Sequence, residues 1–313
     1  MKVGAVIVTH NRKEMLEKCM EAVYFQEYPV KYIVIIDNNS NDGTEEMVNN
    51  KKLKYPNIIY IRLHENIGGA GGFNFGIREI CKFDIDYVWL LDDDTIPLKD
   101  TLKKLVEKYD LEFVDKMDYM CSTVLWQDNL ACRINTPAIA KEWNKYIKYG
   151  LISIKCCTFV SLLINKEIIG EIGLPIKEFF IWADDIEYTR RLSKRCKGYM
   201  VLDSFVEHRT VTNVGTDIVS DRDERINRYF FHYRNILYVS RKYYSLKEKL
   251  YLWYNIGSDV LRILFTKNNQ KLHKLKVLLK GLFKGVFFNP QIEYLPKEEL
   301  LIEYNQRKRE ING

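Results

Sequence analysis

No uninterrupted run of 18 apolar residues occurs in the sequence, so a bilayer-spanning helix is not expected from it. Its first residues, MKVGAVIVTHNR, lack the long apolar stretch and small-residue cleavage site of a secretory signal and read as an opening core strand. Cysteine excludes more by its pattern than by its number. Seven cysteines (Cys19, Cys81, Cys121, Cys132, Cys156, Cys157, Cys196) are scattered without a C-x-x-C pair. That argues against a disulfide framework and a thiolate zinc site, and for a reducing cytosol. The adjacent Cys156 and Cys157 read as strand packing. Internal repeats and low-complexity linkers are also missing, so 313 residues leave room for one large α/β domain with an appendage, or two modest domains.

What is present is a 47% hydrophobic composition, enough for a real core, and a net charge of +6 that is unevenly placed. Residues 241–290 carry 11 Lys and Arg against Glu248 and Asp259, a net +9, so the rest of the chain sums to −3. VGAVIVTH and YIVIIDNNS are short β-branched runs ending in polar residues, as buried parallel strands do. Between them, RKEMLEKCMEAVYFQ puts Met15, Cys19, Ala22 and Val23 on one helical face. DGTEEMVNNKK opens a second helix, NIIYIRLHEN is a third strand, GGAGGFNFGIREICK is a glycine-rich turn leading into a helix, and DYVWLLDDD is a fourth strand. This alternation predicts an open parallel sheet, with ligands bound beyond the carboxyl ends of its strands. His10, Asn11, Asp37 and Asp92–Asp94 fall at that edge. Past residue 110, YMCSTVLW, KCCTFVSLLINK and GYMVLDSFVEHR read as strands, EIGLPIKEFFIWADD as a loop and DIEYTRRLSKRC as a helix. From about residue 224 the pattern is helical and aromatic-rich.

Two stretches stand out chemically. VWLLDDDTIP, residues 88–97, drives an apolar strand into three adjacent carboxylates, which repel one another unless something positive sits there, such as a metal ion. The alternative is that DDDT caps the helix LKDTLKKLVEKY. NIGGAGGFNFG, residues 66–76, has four glycines in five residues, which permits close backbone approach to a ligand. It follows the third strand with the wrong glycine spacing for a dinucleotide fingerprint.

Four landmarks in order, VIVTHNR, IIDNNSNDGT, LLDDDT and WADDIEYTRRL, resemble the inverting glycosyltransferases of family 2. The resemblance spans residues 1–215 and implies the GT-A fold, an α/β, Rossmann-like, mostly parallel sheet flanked by helices. Residues 216–313 are then a C-terminal helical, basic extension. The resemblance implies a nucleotide-sugar donor, a UDP-sugar by preference, and a divalent cation, Mn2+ or Mg2+, that stabilises the diphosphate leaving group. It places Asp92, Asp94 and His208 at the metal, and Asp93 nearer the sugar or ribose. Thr9, Arg12 and Asp37 fall in the nucleotide pocket, with Asp37 accepting from the base. Asp185 becomes the general base. Asp184 binds acceptor hydroxyls and, as a like charge, raises the base's pKa. Each assignment has a plainer counterpart. Arg12 reads equally as a solvated helix-start charge, Asp184 and Asp185 as first-turn acids favoured by the helix dipole, His208 as a structural histidine, and Trp182 as core rather than a platform for the acceptor sugar.

The glycine-rich loop, through Gly68, Gly69, Gly71 and Gly72, is similar to that of bacterial galactofuranosyltransferases, which use UDP-galactofuranose, and of rhamnosyltransferases, which use dTDP-rhamnose. WADDIEY looks like the galactofuranosyl version. A glycan acceptor, carried on a lipid in such pathways, suits bacterial surface polysaccharide synthesis. Lysines interleaved with Leu, Phe, Trp and Tyr suit either a peripheral location at the inner face of the cell membrane or a bundle that packs on the catalytic domain or a second subunit. Nothing resembles a nucleic-acid-binding module. A nucleotidyltransferase would need glycines right after the first strand, where THNRKEM has none. A non-catalytic scaffold at the membrane would be favoured by loss of the base or the D-x-D, and neither is lost.

Overall fold

The structure, a computed structural model, describes residues 1–111 and 117–296, so the end of the helical extension, residues 297–313, lies outside the described residues. The first half alternates as expected: β1 (Val3–Thr9), α1 (Lys13–Tyr24), β2 (Val30–Asp37), α2 (Thr44–Lys52), β3 (Ile58–Arg62), α3 (Gly68–Ile80) and β4 (Tyr87–Asp92). Then follow β5 (Thr95–Pro97), α4 (Thr101–Glu107), β6 (Met117–Leu125), β7 (Ala138–Ile139), β8 (Leu151–Cys156), β9 (Leu162–Asn165), α5 (Lys166–Ile172), α6 (Asp184–Ser193) and β10 (Lys197–His208). Three helices close the described chain: α7 (Tyr229–Tyr243), α8 (Leu246–Phe265) and α9 (Lys271–Phe287).

The strands form one sheet in the order β3-β2-β1-β4-β9-β6-β10-β8-β7, with β5 pairing to β10. It is parallel from β3 to β4. Beyond β4 it is mixed, because β9 and β8 run antiparallel to their neighbours while β6 and β10 pair parallel. Alternate residues of β1 feed two cores, as a two-residue strand period requires. Val3, Ala5 and Ile7 pack with Leu16, Met20 and Leu102 on one side, and Val6 and Val8 with Phe73, Ile77 and Ile80 on the other. Burial on both faces is why the strands read as unbroken apolar runs.

Three sequence expectations shift. The buried stripe of α1 is Leu16, Cys19, Met20 and Val23, while Met15 and Ala22 lie beside it, half-buried. KCCTFVSLLINK contains two strands, β8 and β9, separated by a short 3-10 turn at Phe159–Ser161. The glycine run is not a turn: Gly68–Gly72 form the first residues of α3 itself. Its glycines let α3 lie against β1. A Cβ on Gly72 would come 2.4 Å from Val8 Cγ1, and one on Gly76 2.5 Å from Val6 Cγ1. The sequence also puts all seven cysteines in reduced form in the structure, six of them buried.

Helices α7–α9 dock on this sheet domain. Ala70, Ile176, Phe179 and Ala183 share a hydrophobic cluster with Ile236, Tyr238 and Val239 of α7. Glu293, past α9, accepts from Asn74 and Arg78 of α3.

Candidate active site

The register of β1 with its neighbours sets Thr9 beside Asp37 of β2 and Val8 beside Asp92 of β4, so three predicted site residues reach one sheet edge. Asp93 and Asp94 lie between β4 and β5. The DDDT stretch caps nothing, because β5 intervenes before α4, whose N-cap is Asp100. β5 instead turns back along β10, pairing Thr95 with His208. That antiparallel register carries His208 across 114 positions of sequence to Asp94, with Nε2 3.1 Å from Oδ1.

Asp92, Asp94 and His208 each offer an atom, and these lie within 4.8 Å of one another. His208 Nδ1 is 2.7 Å from Asn135 Oδ1, an acceptor, so Nδ1 donates and Nε2 is left to face the acids. This matches the way a metal-binding histidine is oriented by a partner on its other nitrogen. Two carboxylates and an imidazole are a donor set that Mn2+ or Mg2+ accepts. The electrostatics of the bare protein point the same way. Burial and the neighbouring Asp94 push Asp92 up to about 7. Burial raises Asp93 to about 6 against the pull of Arg12. Burial also opposes charge on Asp94, but hydrogen bonding and attraction to His208, then Arg12, hold it at about 2. His208 resists its own burial through its bonds to Asp94 and Cys132 and rises to about 10. The raised Asp92 and Asp93 show that burial and like charge at this edge outweigh the help of Arg12 and His208.

Arg12 is no free helix-start charge. Its guanidinium donates to Asp93 Oδ1 at 3.2 Å and to Asp94. Thr9 Oγ1 donates to Asp93 Oδ2 at 2.8 Å, so Asp93 is held from two sides. Asp37 departs from expectation. It is wholly buried, and its carboxylate accepts from the Ser40 amide at 2.8 Å and the Tyr60 hydroxyl at 2.5 Å. Those bonds tie it to the loop after β2 and to β3, and keep it out of contact with solvent. The glycines divide likewise. Gly68, at φ +76°, lies so close to the Phe180 carbonyl that a Cβ there would be 2.1 Å from its oxygen, while nothing lies within 4 Å of a Cβ on Gly69. Gly68, Gly71 and Gly72 therefore serve packing, and Gly69 alone of the four faces open space.

Gly68 abuts a strained segment. Phe180, Trp182 and Ala183 all have φ near +65°, which costs a non-glycine residue about 1–3 kcal/mol each. Asn235 of α7 holds it there: its side-chain amide donates to the carbonyls of Phe179, Ile181 and Trp182 at 2.9, 3.1 and 2.9 Å. The strain delivers Asp184 and Asp185 to the first turn of α6, next to the Asp92 charge. Burial raises both. Asp185 is pushed up to about 6, while burial plus the Asp185 charge raise Asp184 well above the carboxylate range. The two carboxyls are thus coupled, and charge on one opposes ionisation of the other. The N-cap of α6 is Ala183, but Asp185 Oδ1 accepts from the first-turn amide of Ile186 at 2.7 Å, so that acid also ties down the helix start. Trp182 packs edge-on against Tyr229 at 5.1 Å, under Arg225, so one side of its ring is committed to the C-terminal helices.

Residues 5–125 match the model of glycosyl transferase family 2. Over that stretch the chain is similar to the family 2 glycosyltransferases. Galactofuranosyltransferase GlfT1 of Mycolicibacterium smegmatis is 26% identical over 207 residues, which cover 61% of this chain and 65% of that enzyme. The chain therefore matches less than two thirds of that relative's length. Two solved structures share the fold. S. aureus TarS 1-349 in complex with UDP superposes with a TM-score of 0.52 at 16% identity, over 92% of this chain and 73% of that one. GalNAc-T7 with UDP, GalNAc and Mn2+ gives 0.55 at 15% identity, over 79% and 53%. The family 2 match ends at Leu125, so it contains the D-x-D acids and Arg12 but neither Asp185 nor His208.

Asn135, Tyr60 and Asn235 escaped the sequence reading. CRINTP and YIR give no signal for the first two. Asn235, polar in the aromatic run YFFHYRNILY, is an anomaly that marks a buried hydrogen-bonding duty.

Proposed function

We propose that the chain is a metal-dependent inverting glycosyltransferase that moves galactofuranose from UDP-galactofuranose to a lipid-linked glycan acceptor in bacterial surface polysaccharide synthesis. The observation that carries this reading is the convergence of Asp92, Asp94 and His208 on one point, next to the buried Asp184 and the half-buried Asp185. Likeness to a galactofuranosyltransferase supports the sugar, and the fold neighbours solved with UDP and with Mn2+ support the nucleotide and the metal.

Asp92, Asp94 and His208 would hold the cation, with Asn135 fixing the His208 tautomer. Bound there, a divalent ion supplies Lewis-acid stabilisation of the diphosphate leaving group. Arg12, paired with Asp93 and Asp94, adds a permanent positive charge at the same edge. Asp185, with a pKa of about 6, is ionised at neutral pH and takes the proton of the acceptor hydroxyl as that oxygen attacks the anomeric carbon. Attack from the face opposite the diphosphate inverts the configuration. Asp184, held protonated, donates to an acceptor oxygen, and Trp182 offers the exposed part of its ring to the acceptor sugar. Gly69 is the open position of the glycine run for the donor.

The test is calorimetry with Mn2+ present, comparing UDP, dTDP and GDP, then the corresponding sugars. Metal-dependent binding of UDP with turnover of UDP-galactofuranose is the expected result. Preference for dTDP-rhamnose would move the enzyme to rhamnosyl transfer, and failure to bind any of these nucleotides would overturn the reading.

A further inference from the structure

The outward side of α8 is apolar along its length. Leu250, Tyr254, Leu261 and Phe265 recur at helical spacing, with Trp253 alongside, and each keeps more than half of its surface exposed. Leu272, Leu279, Phe283 and Phe287 repeat the pattern on α9. Burial of these helices goes through their other sides, where Ile256, Ile263, Val277 and Leu278 meet Tyr229 and Tyr233. A contiguous exposed patch of this size marks an interaction surface.

Its charge decides the occupant. The two acids of α8 turn back into the protein: Glu248 accepts from Arg190 at 2.7 Å and Asp259 from Tyr233 at 2.8 Å. α9 has no acidic residue at all. Lys247, Lys267, Lys276 and Lys284 are exposed around the apolar stripes, whereas Lys274 is buried and donates to the Val219 carbonyl. A second copy meeting this face through a two-fold axis would bring lysines against lysines with no carboxylate between them. An anionic lipid surface meets both features, hydrocarbon for the aromatic stripe and phosphate for the lysines. No helix among the described residues is long and apolar enough to cross a membrane.

We infer that the outward face of α8 and α9 lies in the plane of an anionic bilayer as a peripheral docking surface. This face is rigidly joined to the acid cluster. α9 packs on α7 so closely that a Cβ on Gly281 would be 2.8 Å from the Phe230 carbonyl oxygen, and α7 holds the Phe180–Ala183 segment through Asn235. Docking therefore sets the height of the site above the lipid, where a lipid-carried acceptor would present its sugar.

The inference stands apart from the donor sugar and is tested without activity. The full chain is sedimented with vesicles of phosphatidylcholine alone or mixed with phosphatidylglycerol, at low and high salt. Expected are binding at least about tenfold tighter to the anionic vesicles, weakening with salt, and a comparable loss for Trp253→Ser/Phe265→Ser with unchanged melting and UDP binding. Equal binding to both vesicles, or none, would overturn it. So would a solution dimer that the same double substitution dissociates, which would assign the face to a second copy.

Discussion

Asp93, Asp94 and Asp184 are each less than a tenth exposed, whereas Trp253, Tyr254 and Phe265 on α8 keep more than half of their surface in water. The sheet edge buries charge and the C-terminal helices expose hydrocarbon, and both arrangements work against the usual partition of residues. At the edge the cost is offset inside the chain, by Arg12, His208 and the hydroxyl of Thr9. On α8 and α9 no described residue covers the apolar stripes. The difference teaches how each region is balanced: the acids find counter-groups inside the chain, while the apolar stripes find no cover among the described residues.

The contrast breaks most severely at Asp185. Asp185→Asn should lower transfer by about 10²–10⁴-fold while leaving UDP affinity unchanged, measured by steady-state turnover and calorimetry. Wild-type turnover would remove Asp185 from the mechanism. The same substitution should raise Tm at pH 8 more than at pH 5. An acid whose folded pKa of about 6 exceeds its unfolded value costs stability from about pH 4, where the unfolded carboxyl ionises, and carries its whole penalty only above pH 6.

Gly68→Ala comes next. The new methyl meets the Phe180 carbonyl and sits at φ +76°, so a loss of about 2–3 kcal/mol is expected by denaturant titration, with activity falling as the Phe180–Ala183 segment shifts. An unchanged midpoint would show that α3 does not brace this segment.

Asn135→Ala should weaken Mn2+ binding by about 10–100-fold, read by calorimetry, because His208 loses the group that orients Nδ1. Unaltered affinity would detach His208 from the metal. In the wild type, kcat/KM should fall about tenfold per unit below pH 6 as Asp185 takes up its proton. A flat profile down to pH 5 would point to another base.

The smallest effect belongs to the other region. Leu261→Ser on α8 should change stability by no more than about 0.5 kcal/mol, since the side chain is 57% exposed. A larger loss would mean that α8 buries this side against its own chain.

Much of the catalytic half was legible because its signals are local. β-branched runs ending in polar residues mark strands buried on both faces, and VGAVIVT, VKYIVIID and YVWLLD are β1, β2 and β4. Asp92 to Asp94 stand out because three carboxylates at a strand end need a counter-charge. The glycine run was legible as a place of close approach but not as to what approaches. Glycine reports only that a Cβ is unwelcome, and here the neighbours are Val8, Val6 and the Phe180 carbonyl. Asp37 was legible as a strand-end acid, but its engagement by Tyr60 depends on the pairing of β2 with β3.

By itself, then, the sequence determined an α/β domain whose acids gather at the carboxyl edge of a parallel sheet, followed by basic helices with aromatic faces, because residue periodicity and strand-end polarity are properties of neighbouring residues. Tertiary structure alone decided that His208 meets Asp94, through the β5–β10 register. It alone decided that Asn235 of α7 holds the Phe180–Ala183 segment leading into Asp184 and Asp185, and that these two acids lie close to Asp92. Those contacts join residues far apart in the chain, and burial, hydrogen-bond direction and charge proximity exist only once the chain has closed on itself.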